Sequence, residues 1–239
     1  MNITFKTVVS AITYIFILLG CFFLIKNIPS FIEPVVLVIE YSPYVIFGLG
    51  IILSIRFNQG RVFLILFLLS LSQLVLNYYS YFTVSITTFS QMIYPLMCLL
   101  IPLNIVIISY LKERGLFSLW GKIRIALILI ELFVIYIIAV SNHSAIQKVL
   151  NYKFISLPFE DMIMSQPTML LFLITLIFLI IKAFVKSSVF EVRLIGVIIF
   201  CFTALIYIND KISFSIFLSA SGLMLIIGII QDSYSMAYL

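Results

Sequence analysis

Charge is what this chain has least of. Asp, Glu, Lys and Arg make up 10% of its 239 residues, against about 25% in soluble domains. So few charges cannot cover a water-soluble body of this size. That excludes an ordinary globular enzyme, a nucleic-acid-binding domain and a disordered chain. Histidine is nearly absent, His143 being the only one. A haem or multi-ligand metal site needs several converging His, Cys or carboxylate groups, so no metal and no cofactor is expected. Cysteine is sparse too. Cys21, Cys98 and Cys201 all lie in apolar runs. An odd, buried set argues against a disulfide framework, and each is read as a small hydrophobe. No Gly-rich phosphate loop ending in Lys-Ser or Lys-Thr is present. No apolar run carries a histidine to act as base for an intramembrane serine protease.

Apolar length is what the chain has in abundance. Hydrophobic residues make up 64%. A helix crossing about 30 Å of hydrocarbon needs roughly 20 residues. By that ruler the chain is an all-α integral membrane protein with about eight transmembrane helices, near 7–26, 36–55, 62–80, 88–110, 124–141, 168–186, 193–209 and 213–231. The first is read as a span rather than a cleaved signal, because no small-residue cleavage pattern follows it. Glu40 and Pro43 interrupt the start of the second. It is expected to be a short helix from Pro43, with residues 29–41 and Glu40 at the interface. Pro95 and Pro102 predict a kink in the fourth.

The polar breaks alternate in basic content. One set, with Lys6, holds ten basic residues: Lys6, Arg56, Arg61, Lys112, Arg114, Lys122, Arg124, Lys182, Lys186 and Arg193. The other holds four: Lys26, Lys148, Lys153 and Lys211. The positive-inside bias then puts the first set, and both termini, in the cytoplasm. Trp120 would sit in the cytoplasmic aromatic belt, with Tyr78, Tyr79 and Tyr81 in the outer one. The longest loop, 141–167, carries His143 and is expected to lie on the outer surface as a short amphipathic piece.

Two polar features stand out inside the spans. Glu131 lies seven residues past Arg124 in the fifth, about 10 Å deep at the helical rise. An ionisable group there faces a bundle interior or a water-filled cavity. It is either a sensing or ligand-contacting group, or a carboxyl hydrogen-bonded to a neighbouring helix. Ser70, Gln73 and Asn77 fall on one face of the third span. They line a small-molecule pocket or act as interhelical hydrogen-bond glue, and glue is the preferred reading. In the last span Ser215, Ser219 and Gly222 form a small-residue face for close helix packing.

The last span has no stop. Gln231-Asp-Ser-Tyr-Ser-Met-Ala-Tyr-Leu239 contains neither Gly nor Pro, and Ile229, Ser233 and Met236 follow coiled-coil spacing. The segment from Asp232 to Leu239 resembles the linker that leads into the GGDEF domain of membrane-bound bacterial diguanylate cyclases. On that resemblance, residues 1–231 form a polytopic sensory domain and 232–239 begin a cytoplasmic signalling helix. The resemblance implies a catalytic half, making c-di-GMP, beyond Leu239. No Gly-Gly-Asp/Glu-Glu-Phe motif is present, so no catalytic residue carries over and this chain is not expected to be an enzyme. The transmitting residues would be Gln231, Asp232, Tyr234, Met236, Tyr238 and Leu239. The expected partners are membrane lipid, a second copy through the last helix, and an unidentified small-molecule or membrane stimulus. The alternative is a complete small transporter or lipid-handling protein, with Glu131 and the third-span stripe lining a path.

Overall fold

A long apolar segment satisfies its backbone donors and acceptors in lipid by coiling into a helix, and that is what these segments do. The computed structural model describes residues 3–82, 88–113, 118–140, 148, 150, 152, 164–186 and 188–237. The long helices among them are α1 (Ile3–Asn27), α2 (Glu33–Arg56), α3 (Gly60–Phe82), α4 (Thr88–Tyr110), α5 (Leu119–Val140), α6 (Gln166–Lys186), α7 (Val189–Ile206) and α8 (Lys211–Ala237). Seven of them, all but α5, are long and apolar enough to cross a membrane. α5 has 22 residues, about 33 Å at the helical rise. Its first two turns hold Lys122 and Arg124 in addition to the deeper Glu131. His143 and most of the 141–167 loop lie outside the described residues, as do Tyr238 and Leu239. The side chains of Tyr78, Tyr79, Tyr81, Trp120 and Met236 lie outside them too.

The second span departs from expectation. α2 is one continuous helix from Glu33, with Pro43 buried inside it, so residues 33–41 belong to the same helix and Pro43 does not begin it. Proline removes an N–H and leaves the carbonyl four residues back without its partner. That carbonyl belongs to Ile39, and Ser42 Oγ donates to it at 2.7 Å. The repair is local, and the helix runs on. α4 likewise runs through Pro95 and Pro102.

Turn chemistry closes the helices. Asn58 takes a left-handed conformation (φ 52°), as residues ending helices often do, and Gln59 N–H donates to Ser54 O at 2.9 Å. Asp210 caps α8, accepting from Ile212 N–H at 3.2 Å and from the Ser213 hydroxyl. Because residues 207–210 form the turn, α7 runs from Val189 to Ile206. It is shifted toward the N terminus of the expected 193–209, and Glu191 and Arg193 become part of its first turns.

Packing orders the helices α2–α3–α4–α6–α7–α8, and α8 returns to α2 to close the ring. α1 lies outside against α7 and α8, and α5 lies outside against α4 and α3. α8 is the most enclosed, with 78% of its span buried against 17% for α1. The reason is its small side chains. Ser215 Oγ donates to Glu40 O at 3.0 Å, and the hydroxyls of Ser42 and Ser219 meet at 2.7 Å. A Cβ added at Gly222 would stand 2.8 Å from Ile46 Cγ2 and 2.9 Å from Phe47 Cε1. The Ser215–Ser219–Gly222 face is therefore filled by α2 of the same chain. A second copy pairing through α8 would have to use the part nearer its end, where Ile230 and Tyr234 are exposed.

Candidate functional site

The acidic and basic residues concentrate at one end of the bundle, where α3, α5 and α7 begin and α2, α4, α6 and α8 end. Three ion pairs lie there, and the first turns of α7 touch all of them. Arg61, at the start of α3, is held by Glu113 beyond α4: Nε is 2.5 Å from Oε2, and the Arg61 N–H donates to Oε1 at 3.1 Å. The Arg61 guanidinium lies 4.1 Å from the ring centre of Phe190 in α7, a favourable cation–π distance. Next to Phe190, Glu191 pairs with Lys182 of α6 at 3.2 Å, both side chains being buried. Lys182 also donates to Ser109 O of α4 and sits 4.9 Å from the Tyr110 ring.

The third pair is the most enclosed. Arg193 of α7 is 1% exposed. Its two terminal nitrogens donate to the two oxygens of Asp232 in α8, each at 2.6 Å, the bidentate arrangement that suits a planar guanidinium. Gly228, one turn before Asp232, makes the room. A Cβ there would stand 2.7 Å from Arg193 Cδ and 2.8 Å from Nε, so only glycine lets the side chain lie against α8. Tyr14 of α1 sits beside the guanidinium. A buried guanidinium is costly unless paired, and Asp232, exposed on one side, supplies the charge from the outgoing helix.

Of the expected transmitting residues, Asp232 is thus tied to the bundle core. Gln231 and Tyr234 are exposed on α8. Arg193, Glu191 and Lys182 appear in the sequence as loop charges, and their pairing was missed. The available signal was Gly228, a small residue four before an acid.

Glu131 lies elsewhere, half-buried on α5, and accepts from Asn104 Nδ2 of α4 at 2.7 Å. Both line a cavity of about 380 Å³ between α4 and α5, with Arg124 at its other end. The third-span stripe divides. Asn77 donates to the Tyr44 hydroxyl and ties α3 to α2. Ser70 turns back to Phe67 O at 2.9 Å. Gln73 is fully buried, and neither atom of its amide meets a hydrogen-bond partner among the described residues. The structure does not bring the stripe into the Glu131 cavity, whose α3 wall is Leu64. Cys21, Cys98 and Cys201 are buried and free. Among the described residues no cluster of metal-ligating side chains occurs.

No protein-family model matches the chain, and no curated protein or solved structure matches it. The resemblance to a cyclase linker gains no support from these comparisons.

Proposed function

We propose that this bundle is a membrane-embedded signal-transducing module, with its charged end and both termini in the cytoplasm and α8 as the output helix. The native setting would be a bacterial inner membrane, and the output a diguanylate cyclase domain joined through residues 232–239. The observation that carries the reading is the Arg193–Asp232 pair. It binds the outgoing end of α8 to α7, whose neighbouring residues are tied through Glu191 and Phe190 to α6 and α3. A small shift of any of these helices alters the seat of Asp232. That makes α8 a two-state element that a stimulus can bias.

The test is a fusion of residues 1–239 to a diguanylate cyclase catalytic domain in cells cleared of their own cyclases. Arg193→Gln and Asp232→Asn should each change c-di-GMP by about fivefold or more, at equal abundance in the membrane. Output unchanged by both substitutions would refute the reading.

The second reading, a small transporter or lipid-handling protein, is favoured by the Asn104–Glu131 cavity. It requires uptake into proteoliposomes that is lost in Glu131→Gln.

A further inference from the structure

The cavity between α4 and α5 constrains what it can hold. Its volume of about 380 Å³ falls in the range of small-molecule sites. Leu127 and Ile130 at its edge are more than half exposed, so the cavity opens sideways past α5. Leu64, Ile108 and Ile128 give it buried aliphatic walls.

Its floor is polar and short of donors. Asn104 uses its Nδ2 hydrogens on Glu131 Oε2 at 2.7 Å and on Leu100 O at 3.2 Å. Its Oδ1 and the second carboxylate oxygen, Glu131 Oε1, meet no donor among the described residues. A carboxylate beside an amide oxygen, in an apolar surround, calls for a cationic N–H. The nearby cation does not supply it. Arg124 is seven residues away on α5, about 10 Å along the helix, and its Nη1 donates to Lys112 O at 3.4 Å.

We propose that this cavity is a binding site for a lipophilic amine. The protonated nitrogen donates to Glu131 Oε1 and Asn104 Oδ1, and the alkyl part lies along Leu64, Ile108 and Ile128. In taking the amine as the stimulus, the inference rests on the sensory reading above. The site itself does not depend on it.

The experiment uses the 239-residue protein in phosphatidylcholine nanodiscs, with radiolabelled dodecylamine at neutral pH. Saturable binding is expected. Glu131→Gln, which keeps the volume and the bond from Asn104 but removes the charge, should weaken it about tenfold or more. Dodecyltrimethylammonium, charged but without an N–H, should compete about tenfold less well than dodecylamine. Uptake no different from empty nanodiscs overturns the proposal, as does a Glu131→Gln affinity within about twofold of the parent. Stronger competition by dodecanoate also overturns it, because Arg124 would then hold the head group. Should Glu131→Gln yield no folded protein, Ile128→Trp fills the cavity and leaves the carboxylate. Loss of saturable binding in that variant supports the site, and retention overturns it.

The two readings fail separately. Amine binding without any change in the reporter fusion refutes the amine as the stimulus and leaves the site. Absent binding, with output still sensitive to Arg193→Gln, refutes the site and leaves the sensory reading.

Discussion

α8 and α5 are long helices held in place in opposite ways. α8 is rich in serine and glycine and sits inside the ring, with residues 213–222 all buried. α5 is rich in leucine and isoleucine and lies outside, with Leu127, Ile130, Phe133 and Tyr136 all more than half exposed. In water the greasier helix would be the buried one. In lipid an apolar side chain gains nothing by leaving the acyl chains, so close backbone approach and interhelical hydrogen bonds decide which helix goes inside. α8 has both, through Ser215, Ser219 and Gly222. On α5 the bond from Asn104 to Glu131 joins the helix to α4.

Substitutions that break this contrast should rank accordingly. Unfolding can be followed by a thiol-reactive dye, since Cys98 and Cys201 are fully buried. Gly222→Leu should have the largest effect, because its side chain would collide with Ile46 and Phe47 of α2. A loss of about 3 kcal/mol or failure to fold is expected; a stable, monodisperse variant would contradict the packing of α8 on α2. Asp232→Ala leaves the buried Arg193 guanidinium unpaired and should cost about 2–3 kcal/mol. An additional Arg193→Met substitution should recover much of that loss, and the double-mutant cycle measures the pair directly. Asn77→Ala removes the interhelical bond to Tyr44 and should cost about 0.6–1 kcal/mol. Smallest is Glu131→Gln on the peripheral helix, within about 0.5 kcal/mol of the parent. A loss several times larger would mean that α5 is held as tightly as α8.

Much of the architecture was legible because it depends on composition and length. Seven of the expected spans correspond to helices long and apolar enough to cross a membrane. The fifth exists as a helix that starts earlier, at Leu119. Pro43 misled because a proline removes a hydrogen bond without forbidding a neighbouring side chain from restoring it, and Ser42 does so. Arg193 and Asp232 are 39 residues apart in sequence. Nothing local distinguishes a charge that will lie in the interface from one that will be buried against a glycine on another helix. The small-residue face of the last span was read as a packing surface, but its partner could not be. Close-packing residues show that a backbone approaches, and topology shows which one.

The sequence by itself determined that this is a chain of long apolar helices, with its basic residues gathered at alternate turns, because the rise of a helix and the cost of burying charge are properties of each segment alone. Only the tertiary structure decided that α8 is central and α5 peripheral. It also decided that Asp232 is anchored by Arg193, and that Glu131 shares a cavity with Asn104. Those outcomes depend on which surfaces meet, and in lipid that is settled by fit and hydrogen bonding between helices distant in the chain.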